Sequence, residues 1–458
     1  MESKQELNRS LSSRQMQMIA LGGAIGVGLF MGSASTIKWT GPSVLLDYAL
    51  AGLILYIVMR ALGEMLYLDP ATGSFAKFAS EYIGPLAGYL TAWSNIFEYI
   101  VVGTSEVIAV GQYLNYWWPN LPGWVSGVVI VITLCIANLV SVKAYGELEF
   151  WFALFKVLTI IFMLILGALI ILFGFGNHGQ PIGFSNLWSH GGFFTGGIKG
   201  FGFALSIVIG AYQGIEVLGI TVGEAENPRP KIIKSFKSIV SRILLFYIGS
   251  IFVIVTIYPW DKLDQVGSPF VETFARVGIT TAASIINFVL VTAAMSGCNS
   301  GIFSSSRMLY TLGLKHEVSH KYTLLSKRGV PVLSVLTISV GILLGSMLNV
   351  ILPLFVKDSS NIFVIVFSSS VLPGMIPWFV ILISHLKFRK IKQGQLTNHP
   401  FKLSLSPWSN YFALIGLVTT IIFMLINSET RISVIVGFIF LAIMTGIFYA
   451  TRPDKKSI

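Results

Sequence analysis

Charged residues inside long apolar segments are the side chains of this sequence best placed to do chemistry. A charge at membrane depth is costly, so it tends to face a cavity, a partner or a proton pathway. A carboxylate or a lysine in such a place can carry a proton or balance the charge of a bound solute. Leaving out Arg276 at a segment edge, the apolar segments contain these charged residues: Asp47, Arg60, Glu64, Glu98, Glu106, Lys156 and Glu216.

The positions of these residues separate candidates for function from candidates for structure. Glu216 adjoins a glycine-rich stretch, which favours a functional role. Glu98 and Glu106 share one segment, and structural hydrogen bonding is at least as good an interpretation of both. Lys156 lies only a few residues inside its segment, so snorkelling to the membrane interface is an equal alternative on position alone.

The three remaining charges have simpler interpretations. Arg60 and Glu64 are four residues apart on one predicted helix, which favours a local ion pair. Asp47 lies near the outer end of its segment, where we expect its carboxylate to reach water. Neither pattern predicts a functional site.

Clustered glycines mark two apolar segments where the backbone itself can do chemistry. The first contains "GGAIGVGLF" at residues 22–30, and the second lies at residues 199–224. An unwound stretch at mid-membrane leaves N–H and C=O groups without partners, at a cost on the order of a few kcal/mol each. Small residues four apart also let helices pack closely, but two such segments at matching positions favour unwinding. The glycines concerned are Gly22, Gly23, Gly26, Gly28 and Gly32, then Gly210, Gly214 and Gly219.

Two broken helices side by side suit a zwitterionic solute. A carboxylate is stabilised by the free N–H groups at the N-terminal end of a half-helix. An ammonium group is stabilised by the free carbonyls at a C-terminal end. The glycines therefore predict a site where the protein backbone binds the carboxylate and ammonium groups of an amino acid, without requiring a charged side chain of the protein.

These residues must be positioned by membrane-spanning helices. Of 458 residues, 54% are hydrophobic and 11% charged, whereas roughly 25% are charged in soluble proteins. Apolar runs near 20 residues predict an all-α integral membrane protein rather than a barrel of short alternating strands. We predict twelve spans: 16–36, 42–68, 86–114, 123–143, 152–174, 199–222, 241–259, 273–306, 333–354, 360–386, 408–427 and 430–450.

The distribution of the 31 Lys and Arg residues predicts the orientation. With the N-terminus inside, 23 lie at the inner side and six at the outer side. This asymmetry predicts a multi-pass protein of the cytoplasmic membrane with both termini cytoplasmic. The positive charge of the cytoplasmic loops, which face anionic membrane lipid, accounts for the net charge of +11. Binding to nucleic acid would require a soluble domain with a basic face, and the sequence predicts no such domain.

The order of the spans predicts one membrane domain over residues 1–458 with an internal duplication. Gly26 and Gly214 each open a block of five spans. Because five is odd, the second block starts from the opposite side of the membrane. We therefore predict inverted repeats at about 16–174 and 199–386, discontinuous first and sixth helices, and two further helices at about 408–450.

Six motifs stand out along the chain: "GGAIGVGLFMGS", "RALGEM", "PATGSF", "GELEFWFALFKV", "GEAENPRP" and "NSGIFSSSRMLYTLG". In their order they resemble those of bacterial amino acid permeases of the amino acid–polyamine–organocation superfamily, in the branch of the proline- and phenylalanine-type permeases. The resemblance runs from about residue 10 to the end.

This resemblance implies a fold like that of the sodium-coupled leucine transporter and a set of binding positions. The substrate carboxylate would meet the backbone of Gly26, Val27 and Gly28. Its ammonium group would meet carbonyls at Ala24, Gly210 and Gln213, with Tyr212 and Gly214 beside them in the second broken helix.

The resemblance also implies proton coupling. Lys156 occupies the position near which sodium-coupled relatives bind the ion, so a proton is expected to replace the metal. We assign proton coupling to Lys156, Glu216 and Glu106, and expect no other cofactor. Relatives usually carry an aromatic residue at Gly210 and often glycine at Gln213, so the pocket is expected to accept larger or more polar side chains.

Taken together, the sequence predicts a proton-coupled symporter that imports an amino acid such as proline, histidine or a neutral or aromatic one. An exchanger on the same fold is the alternative. A channel would need a ring of charges, which the scattered carboxylates do not provide. The six His lie in loops or at span ends, so we expect no enzyme active site. Whether the protein is a monomer or a homodimer stays open.

Overall fold

The computed structural model describes residues 18, 22, 25–70, 74–219, 228–265, 270–271, 280–351 and 362–451. Within these ranges the regular structure is helical throughout, with short 3-10 turns between some helices. The helices are α1 Val27–Phe30, α2 Gly32–Thr40, α3 Val44–Leu68, α4 Ser74–Tyr82, α5 Pro85–Leu114, α6 Gly123–Val140, α7 Val142–Phe173, α8 Gly197–Tyr212, α9 Pro228–Ile257, α10 Thr280–Leu314, α11 Val332–Ser346, α12 Leu348–Ile351, α13 Ile362–Ile391, α14 Trp408–Ile426 and α15 Ser428–Thr451.

The helices form a multi-pass membrane bundle. Nine helical stretches of the described chain are long and apolar enough to cross a membrane, judged by length and composition. Large apolar side chains are exposed on the outer helices, including Phe162 and Ile165 on α7 and Ile439 on α15. Such a surface is suited to lipid rather than to water. The prediction of an all-α membrane protein is confirmed, and the count of twelve spans and the inverted duplication stay predictions.

Some helices begin well before the apolar run that predicted them. The helix α7 begins at Val142 instead of residue 152, because the Ser141 hydroxyl accepts a hydrogen bond from the Ala144 N–H at 3.0 Å and caps it there. The helix α9 begins at Pro228 instead of residue 241, and a proline is well suited to the first helical position. Hydropathy detects only the apolar part of a helix and misses its polar first turns.

The two predicted interruptions are present in the structure. Gly22 is helical, but Ile25 and Gly26 are not, and α1 starts afresh at Val27 from an extended Gly26. The helix α8 ends at Tyr212, and helical backbone resumes only at 217–219. At this second break Gly214 has φ +97°, a left-handed conformation that favours glycine.

Helices from distant parts of the sequence pack around these breaks. The helix α5 packs against both α10 and α13, and α8 packs against α2, α3 and α13. The short helix α1 contacts α8, α10 and α5. The first break is therefore enclosed by helices that also approach the second break.

The predicted ion pair between Arg60 and Glu64 is wrong. The Glu64 carboxylate instead accepts two hydrogen bonds from Arg389, from Nε and Nη2 at 2.8 Å each, and one from the Leu403 N–H at 2.6 Å. Arg60 donates to the carbonyl of Lys402 at 2.6 Å. The segment after α13 folds back onto α3, and it brings partners that the local spacing cannot reveal.

Candidate substrate site between two helix breaks

A small cavity of about 30 Å³ lies between the two helix breaks. It has room for about a water molecule or two, so an amino acid requires the helices around it to move apart. Both breaks and the helices α5, α10 and α13 contribute to its wall. The lining residues are Gly26, Gly28, Glu98, Tyr99, Val102, Glu106, Gly210, Ala211, Gln213, Gly214, Gly297 and Phe367.

At the first break, a carboxylate of the protein occupies the place predicted for the substrate's carboxylate. The Val27 N–H donates to Oε1 of Glu106 on α5 at 3.3 Å. A β-carbon added at Gly26 would collide with that same Glu106 oxygen. Glycine at this position therefore lets the Glu106 carboxylate approach the start of α1, and Glu106 is buried in doing so.

The carbonyl side of the first break is held by Lys156 on α7. Its ammonium group donates to the carbonyl oxygens of Gly22 at 2.5 Å and Ile25 at 2.7 Å. The side chain is fully buried, which excludes the alternative that it snorkels to the interface. Lys156 thus supplies hydrogen bonds to two carbonyls at the place where the helix is interrupted.

The second break is held by Glu216 in a similar way. The Gly214 N–H lies 3.1 Å from both oxygens of the Glu216 carboxylate, and Oε2 also accepts from Trp378 Nε1 at 3.1 Å. Glu216 is fully buried but does not line the cavity. In this conformation its carboxylate caps the N–H end of the break.

Glu149, a buried carboxylate beside Lys156, was not among the predicted site residues. It lies seven residues before Lys156 on α7, which is about two turns and places both on one face. Its oxygens accept hydrogen bonds from Ser296 and, at 3.1 Å, from Asn299 on α10. Glu149 and Glu106 both interact electrostatically with Lys156. The span predicted from residue 152 excluded Glu149, although the spacing of seven was visible in the sequence.

Close packing between the two breaks depends on two more of the predicted glycines. A β-carbon on Gly28 would lie 2.8 Å from Ala211 Cα and 2.8 Å from the Phe367 ring. A β-carbon on Gly210 would lie 2.7 Å from Val371 and 3.1 Å from the same ring. Phe367, which the sequence analysis also missed, therefore brings an aromatic ring from α13 to Gly210, a position where relatives were expected to carry their own.

The structure does not bring every predicted residue to the cavity. The Tyr212 ring is not part of the lining; its hydroxyl donates to the Tyr48 carbonyl at 3.2 Å, and its ring stacks on Tyr247. Ala24 lies outside the described residues. Asp47 is fully buried, so the expectation that it reaches water is wrong.

Comparison with known proteins finds similarity to amino acid permeases over almost the whole chain. A family model described as "Amino acid permease" matches residues 15–457. The "Probable threonine/serine transporter YbxG" of Bacillus subtilis (strain 168) is 58% identical over 455 residues, which cover 99% of this chain and 97% of that protein. The "Amino-acid permease AapA" of the same organism is 41% identical, over 94% of this chain and 92% of that protein. These relatives are transporters and permeases rather than enzymes.

A solved structure with a similar fold is the manganese transporter of Eremococcus coleocola, crystallised with an aromatic bis-isothiourea compound. The TM-score is 0.62, the sequence identity is 11%, and the match covers 96% of this chain and 93% of that one. At this identity the similarity concerns the fold alone.

Proposed function

Since the chain belongs to the amino acid permease family, we propose that it is a proton-coupled symporter that imports an amino acid. The observation that carries the proposal is the pairing of charged side chains with the first break. Glu106 accepts the Val27 N–H, and Lys156 donates to the Gly22 and Ile25 carbonyls. The alternative is an exchanger that uses the same site.

Substrate binding replaces a contact that the protein makes with itself. The carboxylate of an amino acid binds the N–H groups at the start of α1, around Gly26, Val27 and Gly28, where Glu106 is the present acceptor. Two carboxylates that share one donor repel each other when both are ionised. Glu106 therefore becomes protonated or moves away from Val27 when the substrate binds, and its protonation is the step that links the substrate to a proton.

Lys156 completes the coupling from the other side of the break. Its ammonium group donates hydrogen bonds to the carbonyl oxygens of Gly22 and Ile25 and interacts electrostatically with Glu106 and Glu149. Protonation of Glu106 removes a negative charge that stabilises the Lys156 ammonium group. The proton affinities of Glu106, Glu149 and Lys156 are therefore linked, which makes proton transfer among these three side chains easier. Glu216 supports the same cycle because it accepts the Gly214 N–H at the second break, while the ammonium group of the substrate donates to carbonyl oxygens near Gly210 and Gln213.

The wider architecture that we propose follows the sequence. Twelve spans in two inverted repeats of five, with two further helices, would place both termini in the cytoplasm and the protein in the cell membrane. The repeats would move around the central site by alternating access. The relative named a probable threonine/serine transporter adds small hydroxylated amino acids to the candidate substrates, beside proline, histidine and the neutral or aromatic amino acids.

Uptake by purified protein in proteoliposomes tests the proposal. With an acidic exterior and a less acidic lumen, labelled amino acid should accumulate above its external concentration, and a protonophore should abolish the accumulation. Competition by each of the twenty unlabelled amino acids identifies the substrate. Uptake that needs an internal amino acid and ignores the protonophore would establish exchange, and no uptake of any amino acid would refute both candidates.

A further inference from the structure

Two polar atoms at the cavity are not used by the recognition of the amino acid backbone. They are Oε2 of Glu98 and Oε1 of Gln213, and both side chains line the cavity. Glu98 is 1% exposed and Gln213 is 7% exposed. Within the described part of the chain, neither oxygen has a hydrogen-bond partner. Oε2 of Glu106 at the same cavity is likewise unpaired. Buried acceptors are normally paired, so these three oxygens at one cavity point to a ligand, and Glu98 and Gln213 are the two that the coupling proposal does not use.

Gly374 on α13 lets these two side chains approach each other. A β-carbon on Gly374 would lie 2.5 Å from Gln213 Oε1 and 2.7 Å from Glu98 Oε1. The amide nitrogen of Gln213 fixes the orientation of the side chain, because Nε2 donates to the Val371 carbonyl at 2.9 Å. The amide oxygen is therefore held beside the Glu98 carboxyl group rather than free to rotate.

The chemistry of this pair selects a hydrogen-bond donor. An amide oxygen is always an acceptor, and a carboxyl group keeps an acceptor oxygen in either protonation state. The complementary substrate side chain must carry a hydroxyl or an N–H group. The cavity must widen for any amino acid, and a short side chain with a hydroxyl requires less widening than lysine or arginine does.

We propose that Glu98 and Gln213 form the side-chain subsite and that it recognises the hydroxyl group of a small amino acid, threonine or serine. This inference rests on the proposed transport of amino acids through the same cavity. It assigns to Glu98 a role in specificity, separate from the coupling roles of Glu106 and Lys156. A site built to bind a hydroxyl discriminates strongly against an analogue that lacks it, because its buried acceptors then stay unpaired.

Threonine and valine provide the test, since valine replaces the hydroxyl by a methyl group of similar size. In proteoliposomes, the wild-type protein should prefer threonine to valine by at least about tenfold in kcat/KM, and serine to alanine likewise. Glu98→Leu and Gln213→Leu should reduce the threonine preference to within about threefold, because an apolar pocket distinguishes a hydroxyl from a methyl group poorly. Glu98→Gln keeps an acceptor oxygen and should keep most of the preference.

A matched control is Glu147→Gln, which alters an exposed glutamate away from the cavity and should leave the preference unchanged. The preference is a ratio within one protein sample, so partial loss of folded protein does not change it. An unchanged ratio in both leucine variants overturns the assignment of the subsite, and so does preferential uptake of lysine or ornithine. A wild-type protein that transports no amino acid refutes the proposed function instead.

Discussion

The charged residues of the site interact with the protein's own backbone before any solute is present. Glu106 and Glu216 each accept a hydrogen bond from a backbone N–H, and Lys156 donates to two carbonyl oxygens. An interrupted helix leaves such groups without intrahelical partners, and at membrane depth water does not replace them. The glycines make the interruption possible, and the buried charges stabilise it.

Replacement of Lys156 by alanine tests whether this residue couples amino acid uptake to the proton gradient. Lys156→Ala removes the donor to Gly22 and Ile25 and the positive charge beside Glu106. We expect accumulation driven by a pH gradient to fall to the equilibrium level, while exchange or binding is partly retained. Lys143→Ala, on an exposed lysine of the same helix, should accumulate substrate like wild type. Undiminished accumulation in Lys156→Ala would remove this lysine from the mechanism.

A larger side chain at Gly26 tests recognition by the backbone. Gly26→Val places carbon atoms where the Glu106 carboxylate lies, so it fills the cleft in which the substrate carboxylate would bind. We expect affinity for labelled amino acid to fall at least about tenfold, which corresponds to about 1.4 kcal/mol. Gly446→Val is the control, because a β-carbon there meets no atom within 4 Å. Normal affinity in Gly26→Val would count against recognition by the first break.

A single buried carboxylate joins the helices α3 and α13 and the segment that follows α13. Glu64 binds Arg389 through two hydrogen bonds, and it accepts the Leu403 N–H. His385, one turn before Arg389 on α13, places Nε2 3.1 Å from the same carboxylate. These contacts hold two helices together at one end of the bundle, away from the residues that line the cavity.

Loss of this carboxylate should lower stability rather than specificity. Glu64→Ala leaves Arg389 without its main partner and the Leu403 N–H unsatisfied, which costs about 3–5 kcal/mol for a buried pair. The thermal midpoint of the detergent-purified protein measures the effect. Asp69→Ala is the matched control, because Asp69 and Lys77 form a 2.9 Å pair that is more than 40% exposed and contributes at most about 1 kcal/mol. Equal midpoints for the two variants would contradict this interpretation of Glu64.

The cavity between the breaks, where helices from the whole molecule meet, is too narrow for a substrate. Its volume of about 30 Å³ excludes an amino acid, although both breaks and three further helices meet there. Transport by alternating access requires this cavity to open to each side of the membrane in turn. The structure therefore corresponds to a conformation that must widen before the substrate enters.

A cysteine at Val102, which lines the cavity, measures that opening. In a background with Cys135→Ser and Cys298→Ser, the partly buried Val102→Cys should react with a maleimide at a rate that increases as the cavity opens. We expect a saturating amino acid to change the labelling rate at least about threefold, since substrate shifts the balance between conformations. Ser189→Cys, at an exposed loop position, should label at one rate throughout. A labelling rate at residue 102 that ignores both amino acid and pH would argue against a moving cavity.

Local properties explain what the sequence alone could predict about this protein. Apolar runs near 20 residues predicted the membrane helices, and clustered glycines located both interruptions, because burial in lipid and backbone freedom are properties of neighbouring residues. The same reasoning misplaced the start of α7 and so missed Glu149, because a helix extends beyond its apolar part.

The partners of the buried charges were decided only by the tertiary structure. Glu106 meets a backbone N–H 79 residues away, Lys156 meets carbonyls more than 130 residues away, and Glu64 meets Arg389 across 325 residues. In the sequence, Arg60 stands closer to Glu64 than Arg389 does, yet it binds elsewhere. Each of these partners depends on which helices lie side by side, and spacing along one helix carries no information about that.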